Sequence, residues 1–302
     1  MKKNVLTFFN EVMLSRGIII ILCGLISTVF ADSNSNDWAT EIIEYVPGNN
    51  AVISHTNAAA ALGPAAKSTD VDGTMEHVTI NNPPWQNDQI VSIGNSGKLI
   101  LKMGYQINNY DDPVHPYGVD LIVYGNTFFA YIYDEGLPQT NPWYEITEEP
   151  AEIWVSTDLT NWFMATNCFA DSLMPTQSID SNGNPADYLF PVIPALLTND
   201  WLDGTWSYTN TVQAYDGSAG GAPVDLSQLK TADGQATNLS FINYVKIENP
   251  ITENAAEIDA IAAVADLPEP VFIYYFLFII YHLLTGDLGP VVRIKYSIIN
   301  KK

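Results

Sequence analysis

Short apolar runs recur at 42–46, 51–53, 89–93, 98–103, 119–124, 151–156 and 243–248, each rich in Val, Ile, Tyr or Trp. Their length and their β-branched and aromatic content predict strands. Turn-forming stretches separate them: Pro47-Gly48-Asn49-Asn50, Gly94-Asn95-Ser96-Gly97, Tyr110-Asp111-Asp112-Pro113 and Asp180-Ser181-Asn182-Gly183-Asn184-Pro185. No long apolar stripe of helical period appears, although 191–202 suits a short helical segment within a loop. The pattern predicts an all-β protein built as a single β-sandwich.

Three segments carry more detail. Val119, Leu121 and Val123 alternate with Asp120, Ile122 and Tyr124, so both faces are apolar, as in a central strand. Asp120 is either a turn and backbone-bonding residue or a ligand. At 152–162 a strand runs into a tight turn before Trp162 and Phe163, the pattern of a hairpin. Near the end, the two-residue period places Glu257, Asp259 and Ile261 on one face, with Ile258 and Ala260 on the other.

The two ends stand apart from this pattern. Residues 1–31 read as a secretory signal: Lys2, Lys3 and Arg16 precede or flank the apolar run 17–25, and Val29-Phe30-Ala31 offers small residues for cleavage between Ala31 and Asp32. The alternative is a retained membrane anchor. Leu22 before Cys23 argues against a lipoprotein signal. At the other end, 267–302 forms a tail in which Pro268-Glu269-Pro270 precedes the apolar stretch 271–284 and a basic terminus. As a helix, 271–284 rises about 21 Å, a short transmembrane segment against a hydrocarbon core of roughly 30 Å. This arrangement resembles the PEP-CTERM sorting signal of Gram-negative bacteria. The resemblance implies an exosortase-type sorting protease as partner, and transient anchoring in the inner membrane. Arg293, the first basic residue, lies well beyond the apolar run instead of abutting it.

Removing the two ends sharpens the charge. The whole chain carries −22, but residues 32–270 hold five lysines against 32 carboxylates, a formal charge of −27. Such a surface repels phosphate backbones and anionic lipid, which excludes nucleic acid as a partner. Cys168 is the only cysteine in 32–270, so no disulfide closes within it. About 240 residues suffice for one large β domain, taken here as 32–266.

Several further segments resemble, in order, a recurrent domain of bacterial secreted and PEP-CTERM proteins. They are Ala61-Leu62-Gly63-Pro64, Val91-Ser92-Ile93-Gly94, Gly97-Lys98-Leu99-Ile100-Leu101 and the run from Gly118 through Asn126. Trp154-Val155-Ser156-Thr157-Asp158, Gly220-Gly221-Ala222-Pro223-Val224-Asp225-Leu226 and Val245-Lys246-Ile247 continue the series. The closing Glu257-Ile258-Asp259-Ala260-Ile261 is similar to the last strand of galactose-binding-like jelly rolls. That likeness implies a jelly-roll-type sandwich of a kind used for carbohydrate recognition, often with structural calcium.

Paired carboxylates two apart in a strand repel unless a cation joins them, and Ca²⁺ takes six to eight oxygens. Glu257 and Asp259 are therefore candidate calcium ligands, with Asp225 as a contributor or as the cap of its own turn. The acidic stretches 70–76 and 180–187 have similar oxygen density, but Pro185 stands where an EF-hand loop needs glycine. Exposed aromatic rings grip the C–H faces of sugars. Trp85, Trp143 and Tyr144 are candidates, and Trp201, Trp206 and Tyr208 form the favoured ligand-binding cluster. No nucleophile elbow, His-Glu-x-x-His or phosphate loop is present, and no organic cofactor is implied. The expected product is an exported cell-surface or extracellular-matrix protein with a non-catalytic binding or structural domain, calcium-stabilised and carbohydrate-binding. An extracellular polysaccharide hydrolase or lyase is the alternative.

Overall fold

The computed structural model describes residues 35–132, 143–180, 182–197, 213–250 and 254–266. The expected signal 1–31 and sorting tail 267–302, including 271–284, lie outside them. The chain opens with β1 (Ala39–Val46), β2 (Ser68–Val71), β3 (Thr74–His77), β4 (Val91–Ile93), β5 (Lys98–Asn108), β6 (Leu121–Gly125), β7 (Phe128–Ile132) and β8 (Trp143–Thr147). There follow β9 (Ala151–Ser156), β10 (Phe163–Ala170), β11 (Ala222–Val224), β12 (Leu229–Lys230), β13 (Ala236–Thr237), β14 (Phe241–Glu248) and β15 (Ala256–Ala263). Helix among the described residues is reduced to 3₁₀ turns and residues 213–215. None is long and apolar enough to cross a membrane. The protein is all-β.

Seven strands form one sheet in the order β1-β5-β14-β9-β10-β12-β13, and four form another in the order β11-β6-β15-β4. Alternation decides which side chains meet between them. Ile153 and Val155 of β9, Val245 and Ile247 of β14, and Leu99 and Leu101 of β5 point inward from the larger sheet. They pack in one core with Val91, Leu121, Val123, Ile258 and Ile261 of the smaller sheet. Each such side chain, fully withdrawn from water, stabilises the fold by about 1.5–3 kcal/mol. This is the two-layer arrangement expected of a sandwich.

The smaller sheet is covered on its other face too. Ile122, Tyr124, Ala260 and Ala262 meet Trp38, Tyr188 and Leu189 in a second cluster. Apolar groups on both faces of 121–124 are thereby explained, but the strand begins only at Leu121, and Val119, before it, packs in this second cluster and not beside Leu121 and Val123. Trp38 pairs with Ala262 as an isolated bridge, so the first and last described segments lie side by side.

The expected hairpin at 152–162 is present as β9 and β10. Elsewhere local chemistry overrode the pattern. Residues 51–53 are not a strand: the chain turns at Ile53–His55, leaving Ile53 90% exposed. Acidic 70–76 is the β2–β3 hairpin, in which Asp70 accepts a bond from the Gly73 N–H at 2.6 Å. In 191–202 the described part forms only a 3₁₀ turn at Pro194–Leu196. The β15 register against β6 shifts between Ile258 and Ala260. In consequence Ile258 and Ile261 share the main core while Ala260 and Ala262 face the second. Ile261 thus does not share a face with Glu257 as strict alternation requires.

Candidate functional site

Asp171, one residue past β10, is held at a left-handed φ of 51° with its side chain turned under the ends of β6 and β15. Its Oδ1 accepts bonds from the N–H groups of Asn126 (2.9 Å) and Thr127 (2.8 Å), and its Oδ2 from that of Glu257 (2.9 Å). Gly125 makes this approach possible: a β-carbon there would lie 2.5 Å from Asp171 Oδ1 and 2.9 Å from the Glu257 carbonyl oxygen. The Asp171 carbonyl in turn accepts the N–H of Glu149 at 3.0 Å, which brings the segment before β9 alongside.

Three carboxylates converge as a result. Oxygens of Glu149, Asp171 and Glu257 all lie within 4.8 Å of one another. Asp171 is 2% and Glu257 4% exposed, while Glu149 is half-buried. Burial pushes the Asp171 carboxyl up to about 7, against the pull of its three N–H donors, with the Glu149 charge adding to the rise. Burial likewise raises Glu257, to about 9, helped by the hydrogen bond that its protonated form donates to Glu149 and by the charges of Asp171 and Glu149, and opposed by Ser92. Like charges this close are not all ionised without a partner. Either protons or a cation must occupy the space. The donors are all hard oxygens, which suits Ca²⁺.

Of the residues singled out in the sequence, Glu257 falls in this cluster. Asp259 does not: both its oxygens accept the Ala66 N–H, at 3.1 and 3.0 Å, and burial raises its carboxyl well above the ordinary range. Asp225 caps its own turn, accepting from the Ser227 N–H and the Gln228 amide at 2.7 Å each. Asp180 does the same with Asn182 and Asn184. Trp85 stands exposed in the loop between β3 and β4, its indole N–H bonded to the Asp70 carbonyl of β2 at 2.8 Å. Trp143 and Tyr144 fall in β8. Trp201, Trp206, Tyr208, Pro268, Glu269, Pro270, Ala31 and Asp32 lie outside the described residues.

Glu149 and Asp171 were not singled out. Their only local signals are an acid before the apolar run 151–156 and Gly125-Asn126 closing a strand, because every contact in the cluster is long-range.

A second polar constellation joins buried His115 to two carboxylates. Its Nδ1 lies 2.6 Å from Asp120 Oδ1 and its Nε2 2.9 Å from Asp266 Oδ1. Asp120, fully buried, also accepts the N–H groups of Tyr110 and Leu226. The open question about Asp120 is settled in favour of backbone bonding. With both ring nitrogens engaged, this histidine presents no lone pair to a substrate and acts as a brace. Compared with known protein families and with curated proteins, the chain matches no family model and no curated protein.

Proposed function

We propose that this chain is an exported, non-catalytic binding or structural protein of a bacterial cell surface or extracellular matrix. Its domain is a jelly-roll-type, galactose-binding-like sandwich stabilised by calcium and directed to neutral carbohydrate. The PEP-CTERM-like tail 267–302 supplies sorting through an exosortase-type protease. The observation that carries the calcium part is the cluster in which half-buried Glu149 converges with buried Asp171 and Glu257. Bound there, Ca²⁺ supplies charge neutralisation and cross-links the segment before β9, the end of β10 and β15. The same burial disfavours the hydrolase reading for these acids, since a polysaccharide needs open access to both members of a catalytic pair.

The test is a pair of thermal melts of the full-length protein, with calcium and with EDTA. A rise of several degrees in calcium, lost in Glu257→Gln, supports the reading. Identical melts would sink the calcium part. Release of soluble sugar from a polysaccharide would replace the binding reading with the enzymatic one.

A further inference from the structure

The outward face of the seven-stranded sheet differs in charge from the rest of the domain. Residues 32–270 contain five lysines, and four of them, Lys98, Lys102, Lys230 and Lys246, alternate outward from β5, β12 and β14. The fifth, Lys67, lies over Tyr188 beside the other sheet. Four glutamates share the face and meet these residues. Glu44 pairs with Lys98 at 2.9 Å, Glu41 with Lys102 at 3.2 Å, and Glu248 with Lys246, while Glu152 accepts the Trp154 indole N–H at 3.0 Å. Their formal charges sum to zero, within a domain that sums to −27.

Register builds an apolar centre into this neutral field. Lys230, Met164, Trp154, Lys246, Ile100 and Glu44 stand opposite one another across six neighbouring strands. The Lys246 ammonium lies 4.7 Å from the centroid of the Trp154 ring and 5.4 Å from that of Trp162. Trp162 is further pinned by its N–H to the Leu159 carbonyl at 3.2 Å. Two indoles fixed by their N–H groups and by a shared cation lose little freedom when a ligand arrives.

We propose that this sheet face is a binding site for a neutral polysaccharide chain, seated on Trp154 and Trp162. This rests on the binding reading above and names the surface and ligand class for it. Sugar C–H faces pack against the indoles, and hydroxyls bond Lys246, Glu152 and Glu248 as donors and acceptors. Charge selects the occupant. A second copy of the domain, or an acidic glycan, meets the repulsion of −27 beyond the patch, and a neutral chain meets none.

The test is depletion of the full-length protein by insoluble cellulose, xylan and β-1,3-glucan, with alginate and polygalacturonate beads as acidic counterparts. The expected result is retention on a neutral polymer, unchanged in about 0.5 M NaCl. Trp154→Ala and Trp162→Ala each weaken retention about tenfold with little change in melting temperature. Trp154→Phe keeps an aromatic ring against Lys246, so it preserves the fold and weakens retention about threefold. Trp85→Ala, in the exposed loop between β3 and β4, leaves retention as it was. Retention of the parent that is indifferent to Trp154 and Trp162 overturns this site and leaves the binding reading standing. No retention of the parent on any polymer removes both. Salt-sensitive retention on the acidic beads alone, or a dimer dissolved by these same variants, assigns the face to another occupant and overturns the proposal.

Discussion

A β-carbon placed on Gly125 would lie 2.5 Å from Asp171 Oδ1, so strand β6 and the Asp171 carboxylate touch with no side chain between them. Gly125→Ala must push Asp171 away and orphan the N–H groups of Asn126 and Thr127. The expected cost is about 3 kcal/mol, read from urea unfolding. A change under about 0.5 kcal/mol would show that the docking is slack.

Protonation of the carboxylate cluster gives a second expectation. Asp171 and Glu257 have carboxyls raised on folding, to about 7 and about 9, so the folded state holds these protons more tightly than the unfolded chain. In EDTA their contribution to stability is therefore greatest at low pH and declines as pH climbs from about 4, the unfolded value, through 7 towards 9. Calcium takes the place of the protons and flattens the decline. Glu257→Gln flattens the EDTA profile and abolishes the calcium response. Unfolding free energies at pH 6 and pH 9, with and without calcium, decide the matter, and a parent and variant of equal slope would refute it.

His115 titrates in the same sense, over a higher pH window. Burial alone lowers it, but hydrogen bonds to Asp120 and Asp266, and the charges of both, outweigh burial and leave it raised. Its stabilising contribution is complete below about 6.5, the unfolded value, and is lost as pH rises through the higher folded value. The Tyr110 ring, 5.1 Å away edge-on, adds no charge of its own. His115→Gln should cost about 2 kcal/mol at pH 6 and less at pH 8, by chemical denaturation. An equal cost at both would mean that His115 is neutral throughout.

Ile247 and Lys102 sit on opposite faces of the larger sheet. Ile247 is fully buried, opposite Ile153 in the register, so Ile247→Ala should cost about 2–5 kcal/mol. Lys102→Ala removes only an exposed ion pair with Glu41 and should change stability by less than about 1 kcal/mol in urea. Comparable costs would contradict the assignment of inward and outward faces.

Much of the main core was legible because its strands obey a two-residue period: Leu99 with Leu101, Ile153 with Val155, Val245 with Ile247. The short β11, β12 and β13 carry two or three residues each, too few for a period to show. Strand β15 misled for a different reason. Its register shift beside Asp259 changes which side chains share a face, and nothing in Glu257-Ile258-Asp259-Ala260-Ile261 announces an extra residue. Glu257 could be picked out as an acid in an apolar strand, but its partners Glu149 and Asp171 stand 108 and 86 positions away in sequence. The Lys246 sandwich was hidden in the same way, since Trp154 and Trp162 reach it only through the pairing of β9 with β14.

The bridge between Trp38 and Ala262 has a consequence for protein architecture. Entry to and exit from the fold are neighbours, so a host loop can receive this domain as an insert without being pried apart. By the same token the two ends of the described domain, near Trp38 and Ala262, can be joined by a short linker and new ones opened at the exposed turn around Ile53, yielding a circular permutant with the same sheets.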